Sequence, residues 1–224
     1  TRDGGDFNGV GLSVRPWIFN RQGDWSTFAL GEAFLATDTI ESDTSESDTF
    51  DPNDARERED QFLAMHEFWV DYGGLSAYPG ESLRLGRQKI RSADGLWWDS
   101  NIEALRWNFE TTLLSAHVGI AERFSDYRTD LDELAPDDKD RLHLLADLSW
   151  QWQPGHWAGV KLHHSDDGGN LPGVGESVDQ MSKTTTGDLT WLGAELNGDF
   201  YNERSNLPLN YWVAATWLTG NVDT

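Results

Sequence analysis

The 224 residues include no cysteine, which removes disulfides, thiol nucleophiles and cysteine-ligated metals together and leaves an envelope protein and a cytosolic one equally open. No stretch approaches the roughly 20 consecutive apolar residues of a transmembrane helix, and the mean hydropathy is −0.60. That excludes a helical span and nothing more, because a membrane β-strand needs only about 9 to 11 residues with every second one polar. Basic residues are scarce: 17 Lys and Arg stand against 39 Asp and Glu, for a formal charge of −22. That balance argues against nucleic acid as a partner. The first residue, Thr1, is not a start methionine, as expected of a mature or truncated chain.

What is present is alternation with a period of two. Leu142, Leu144, Ala146, Leu148, Trp150 and Trp152 share one parity, and Arg141, His143, Asp147, Ser149 and Gln151 the other, interrupted only by Leu145. After Pro154-Gly155 the pattern resumes, with Ala158, Val160 and Leu162 against Gly159, Lys161, His163 and Ser165. The segment is therefore expected to be a β-hairpin with one apolar and one polar face. Trp150, Trp152 and Trp157 gather at its tight-turn end, the placement expected of an interfacial aromatic girdle.

The rest of the chain extends the pattern. Residues 8–19 alternate, with Pro16 marking a bulge or strand end because it lacks a ladder donor. Residues 24–39 return as a strand whose facing is open, since Glu32 shares a side with Phe28, Leu30 and Phe34. Residues 40–60, rich in Asp, Glu, Ser and Thr, are expected to be a long solvated loop. Strands follow over 61–73 and 83–91, then a loop over 92–100 with Trp97, Trp98 and Asp99, then strands over 101–110 and 114–123. A second acidic loop over 127–140 precedes the hairpin, a Gly-rich loop over 167–188 follows it, and strands over 189–201 and 211–220 end the series. About ten strands are expected, joined by connections that alternate short and long, as turns and loops do on the two sides of an outer-membrane barrel.

Enzyme motifs fail on inspection. His66-Glu67 is followed by Val70 where a zincin needs its second histidine, and neither a Gly-x-Ser-x-Gly elbow nor a Walker loop occurs. The acids of 51–60 lack the EF-hand glycine. His163 and His164 fall on opposite faces of one strand and are poorly placed to share a metal. Neither catalysis nor a cofactor is expected. Arg87, Lys89 and Arg91 share one parity. Such a cationic ladder needs acids or a ligand to answer it; on a soluble sheet it is a solvated face, and in a barrel it draws anions into the lumen.

Longer runs resemble a known family. Arg15-Pro16-Trp17, Glu67-Phe68-Trp69-Val70-Asp71-Tyr72, Ala77-Tyr78-Pro79-Gly80-Glu81, Leu85-Gly86-Arg87-Gln88 and Asn101-Ile102-Glu103-Ala104-Leu105 resemble the alginate-export porins of the bacterial outer membrane. So do the runs 109–114, 127–136 and 208–212. The resemblance covers nearly all 224 residues as a single domain. It implies an all-β, antiparallel transmembrane β-barrel of roughly eighteen strands, of which this chain is about the first half, beginning after the first strand. It also implies passive export of alginate from a Gram-negative cell, with outer-membrane lipid around the barrel and periplasmic alginate-secretion proteins as further partners. For the pore lining it implies Arg15, His66, Arg87 and Lys89, with Glu67, Asp99, Asp126 and Asp130 as acidic partners. His66 and Lys89 stand where the family has arginine, and lysine lacks the guanidinium fork. Strict alternation sets His66 on the side of Phe68 and Val70, so a lumen position for it requires a bulge.

A second class of reading starts from the same residues: a soluble all-β protein that binds or cleaves glycans, with tryptophans stacking sugars and carboxylates doing acid and base work. Such a sheet would cover its apolar face with a second layer.

Overall fold

Residues 10–36, 61–91, 99–131, 134–135, 138–169, 171, 186–202 and 207–223 are described in a computed structural model, with side chains left aside at 201–202, 207–208 and 223. The alternating segments form eleven strands: β1 (Gly11–Val14), β2 (Trp17–Gln22), β3 (Trp25–Ala36), β4 (Gln61–Tyr72), β5 (Glu81–Arg91), β6 (Asp99–Glu110), β7 (Leu114–Glu122), β8 (Arg141–Gln153), β9 (His156–Asp167), β10 (Thr186–Asn202) and β11 (Leu207–Asp223). From β3 onward each strand pairs antiparallel with the next, while β1 and β2 both pair with β3. The first alternating run is thus cut in two at Arg15-Pro16. Proline offers no ladder donor, but its carbonyl accepts the Gly31 N–H at 3.0 Å and keeps the broken strand on the sheet.

One sheet results, with free edges at β1/β2 and at β11 among the described residues. It is a single open sheet, not a closed barrel. The alternation from β7 to β10 is as expected: Leu144, Leu148, Val160, Leu162, Leu192 and Leu196 are all exposed on one face, aligned through the pairs Leu148↔Val160 and Leu162↔Leu192. His117, Asp147, Lys161 and Glu195 occupy the opposite face. Among the described residues no second sheet covers the apolar face.

The tight turns cluster aromatic residues. Trp25 packs on Tyr72 with ring centroids 4.6 Å apart, Tyr78 stacks on Phe109 at 5.0 Å, and Trp107 on Phe109 at 5.8 Å. At the β8–β9 turn, where Gly155 takes a φ of 78°, Trp150 and Trp152 are exposed. There His156 meets Trp152, Phe200 and Tyr211, and it shares a 2.9 Å hydrogen bond with the Tyr211 hydroxyl. The Trp, Tyr and His members of these clusters combine an apolar ring with a polar tip, which suits a boundary between lipid and water.

The small buried core lies on the polar face, and the end of the β5–β6 hairpin creates it. β4 and β5 pair only as far as Phe68↔Arg87, and β6 and β7 only as far as Glu103↔Glu122. Beyond those points residues 88–91 and 99–102 pair with each other alone. This hairpin end folds over the sheet: Ile90 and Ile102 bury against Ala104, Ala121 and Leu145, and Ser100 and Ile102 share a cavity wall with His143, His163 and Trp191 of β8, β9 and β10. Gly86 marks the departure, with a φ of 124° and the Phe68 carbonyl oxygen 2.3 Å from where a Cβ would sit; only glycine fits there. The vacated edge of β4 is taken by the chain after β7. Ala64 bridges to Arg128, and the Met65 N–H donates to the Tyr127 carbonyl at 2.9 Å.

Several expectations change. Asp99 and Ser100 open β6 instead of lying in a loop, because both pair with the in-folded end of β5. Among the described residues the strands number eleven, and β10 and β11 run 17 residues each, longer than expected. Glu32, whose side was open, lies with Phe28, Leu30 and Phe34 on the polar face, where Phe28 stacks on Trp69 and Phe34 on Phe62. Tyr127, Arg128 and Thr129, expected in a free acidic loop, instead add to β4. The acidic loop 40–60, Trp97, Trp98 and most of the Gly-rich loop 167–188 lie outside the described residues.

Candidate functional site

Two ion-pair constellations lie on the polar face near the hairpin end. The first is centred on Glu32. Its carboxylate accepts from the Ser13 hydroxyl, meets Arg15 Nε at 3.1 Å and His66 Nε2 at 2.6 Å. Arg15 reaches it because the Pro16 break lets the residue between β1 and β2 turn toward the polar side. His66 reaches it because of a bulge: Leu30 pairs with Glu67 and Gly31 with Met65, so His66 opposes nothing. The extra residue puts His66 and Glu67 on one side and leaves Phe68 and Met65 exposed on the other. The required bulge is therefore present, and alternation alone misplaces His66. Glu67 accepts the Trp69 indole N–H at 3.3 Å and the Lys89 backbone N–H at 3.4 Å, linking β4 to the hairpin where the ladder has parted.

The second constellation lines the slot between the hairpin end and the chain after β7. Arg87 and Glu103 face each other in register, 2.8 Å apart and both buried. Arg87 also donates to the carbonyls of Ser125 at 3.1 Å and Asp126 at 3.5 Å and lies over the Tyr127 ring, while Glu103 accepts the Phe124 N–H at 3.1 Å. Lys89 and Arg91 both meet Asp99, at 3.1 and 3.6 Å. The cationic ladder is thus answered by acids. Asp126 lies 3.8 Å from Arg123, and Asp130 receives both arms of Arg128, at 3.0 and 2.6 Å. Residues His66, Arg87, Lys89, Asp99, Asp126 and Arg128 surround a cavity of about 310 Å³. Of the eight expected residues, Arg15 and Glu67 stand outside this wall and are tied to it through Glu32, His66 and Lys89. Asp130 supports it through Arg128.

Sequence reasoning missed the partners that fix these groups: Glu32, Glu103, Arg123, Arg128, and the pairs Arg84–Asp71, Arg141–Asp167 and Lys161–Glu195, at 2.8, 2.9 and 2.8 Å. Glu32 carried a signal, being the one carboxylate in the otherwise apolar and aromatic run 28–35. The others are chosen by cross-strand register, which a single strand does not display.

Most of these pairs share an orientation. The Arg15 side chain is 64% exposed over a Glu32 that is 7% exposed; Arg128 is 30% exposed over a fully covered Asp130; Arg141 is 30% exposed over Asp167 at 3%. In these three pairs the acid sits at the base and the cation at the surface, whereas Arg87–Glu103 and Lys161–Glu195 are buried on both sides.

A sequence model of the family described as alginate export matches residues 1–224. The chain belongs to the alginate-export family. Among curated relatives it is 60% identical to the alginate production protein AlgE of Pseudomonas aeruginosa over 227 aligned residues, covering all of this chain and 46% of that protein. It is 52% identical to the protein of that name from Pseudomonas syringae pv. tomato, across all of this chain and 47% of that one. For Azotobacter vinelandii the identity is 43%, over 94% of this chain and 44% of the relative. The chain spans about half the length of these alginate-export relatives, and its single eleven-stranded sheet is consistent with a fragment of a β-barrel.

Proposed function

We propose that the chain forms part of an outer-membrane β-barrel that passes alginate passively, with the polar face lining the lumen and the apolar face in lipid. The observation that carries this reading is the orientation of the ion pairs. A chain with a formal charge of −22 presents Arg15, Lys89 and Arg91 outward over covered or shared acids. Screening limits the reach of distant loop acids to about 8 Å at physiological salt, so the local cations set the field that a polyuronate meets. Arg15, His66, Arg87 and Lys89 line or support the constriction, and Glu67, Asp99, Asp126 and Asp130 hold them in place. The in-folded hairpin narrows the lumen from within. No cofactor or catalytic step enters; the tight turns face the periplasm, where secretion proteins dock.

The test is planar-bilayer recording of the full-length protein. Anion preference at low salt, with brief current blocks on addition of a mannuronate tetrasaccharide, is the expected result. The isolated 224-residue chain should give no steady conductance, because open strand edges are not tolerated in hydrocarbon. A full-length channel that prefers cations, or that the tetrasaccharide never blocks, would remove the reading.

A further inference from the structure

A second cavity of the polar face, about 580 Å³, lies between the in-folded hairpin and the tight turns and is separate from the hairpin slot. Its volume falls in the range of about 300 to 1,000 Å³ typical of small-ligand sites. Arg106, Asn108, Trp157, Lys161, Glu195 and Asn197 are among its walls. None of these residues belongs to the constriction described above.

Arg106 is the unusual member. It pairs in register with Arg84 on one side and Gly119 on the other, so two arginines stand side by side. Its stem leans over Gly119, whose missing side chain leaves Arg106 Cβ and Cγ 3.5 Å from the vacant Cβ position. Arg84 is satisfied: it bonds Asp71 at 2.8 Å and stacks on Trp69 at 3.8 Å. Arg106 is not. Its Nε is buried without a hydrogen-bond partner, and no ion pair within 4 Å reaches it among the described residues. Asp71 and Glu110 act on it only through charge; Asp71 is held by Arg84, and Glu110 accepts the Ser115 hydroxyl. The other central cation of the cavity, Lys161, is bound to Glu195 at 2.8 Å. A buried guanidinium donor without an acceptor is costly, and a planar fork of this kind suits a carboxylate.

The remaining walls suit a sugar. Asn108 and Asn197 supply amide donors and acceptors for hydroxyls, and Trp157, paired in register with Asn197, offers an indole face to a pyranose ring.

We propose that this cavity is a second polyuronate subsite, on the tight-turn side of the constriction, in which Arg106 receives one uronate carboxylate while Trp157, Asn108 and Asn197 hold the ring. This rests on the transport reading above. Acids within the same cavity temper the attraction, which a conducting pore requires, since each subsite must release what it binds.

The experiment is single-channel recording of the full-length protein with a mannuronate tetrasaccharide added on the tight-turn side. Arg106→Gln should reduce the equilibrium block about tenfold, the lower end for losing a hydrogen bond between charged groups. Arg106→Lys should keep the salt-dependent association while shortening the block, because the charge remains and the fork is lost. A neutral tetrasaccharide should not distinguish wild type from Arg106→Gln. If Arg106→Gln does not assemble, Asn197→Asp places a carboxylate in the same cavity and should weaken block by a comparable factor. Block of the wild-type channel with no change in Arg106→Gln, or in Asn197→Asp where that variant stands in, overturns the subsite and leaves the transport reading intact. Absence of block in the wild-type channel removes both.

Discussion

Lys89→Glu in the full-length protein is expected to turn anion preference into cation preference at low salt and to reduce alginate export, with Arg15→Glu acting in the same direction. Lys89 is about half exposed and 3.1 Å from an Asp99 that it shares with Arg91. A pair exposed to that extent contributes only about 0 to 1 kcal/mol to folding, so the barrel should still assemble. The ionic consequence is larger than the structural one. Reversing the charge removes one cation and adds one anion beside Asp99. Two unit charges about 4 Å apart interact by roughly 4 kcal/mol at an effective dielectric of 20, an upper guide that a wet lumen reduces. Arg15→Glu places a second carboxylate against Glu32, which then keeps only Ser13 and His66 as partners. The reversal potential in a salt gradient reads the change. Its size should shrink as salt rises, because screening shortens the reach of either charge.

Glu103→Ala is expected to be the most destabilising single change on the polar face, by about 3 to 5 kcal/mol, because it leaves a buried arginine without its counter-charge. Arg87 and Glu103 are both buried, and the carbonyls of Ser125 and Asp126 that Arg87 also reaches carry no formal charge to replace the lost one. The loss extends beyond the pair. Glu103 Oε2 holds the Phe124 N–H, the first link of the segment that adds to β4 through Tyr127, Arg128 and Thr129. Glu103→Gln keeps a hydrogen-bonding group and should fall between wild type and Glu103→Ala. Urea unfolding in lipid vesicles measures the series, with Lys89→Ala as an exposed-pair control within about 1 kcal/mol of wild type. Equal stability of Glu103→Ala and Lys89→Ala would contradict the placement of Arg87 and Glu103 in a closed slot.

These two cases also mark where the sequence was legible. From β7 to β10 the alternation is regular in every strand and the β8–β9 turn is two residues long, so Leu144, Leu148, Val160 and Leu192 could be assigned to one face directly. Lys89 and Arg87 were visible as a ladder. What the ladder does was not, because its parity is shared with Leu83 and Leu85 on the apolar face. The switch from leucine to cation within one parity, at Gly86, is the trace of a strand leaving the sheet, and the trace is readable only once Ile90 and Ile102 are known to be buried. His66 shows the same limit. A bulge adds one residue without changing composition, so alternation assigns its side wrongly, and only the pairing of Leu30 with Glu67 and Gly31 with Met65 corrects it. Arg106 escaped because its meaning is the absence of a partner, which no sequence pattern encodes.

Water access distinguishes a polar face that lines a lumen from an apolar face that lies in lipid. The 224 residues contain no native cysteine, so Lys89→Cys and Leu148→Cys can be introduced singly into a full-length protein otherwise free of thiols. Each variant is then treated with a negatively charged, membrane-impermeant methanethiosulfonate reagent during current recording. Lys89→Cys is expected to react and lose anion current in discrete steps, while Leu148→Cys stays unmodified in lipid. Reaction of Leu148→Cys as fast as Lys89→Cys, or an inert Lys89→Cys with unchanged current, would contradict a lumen lined by the polar face.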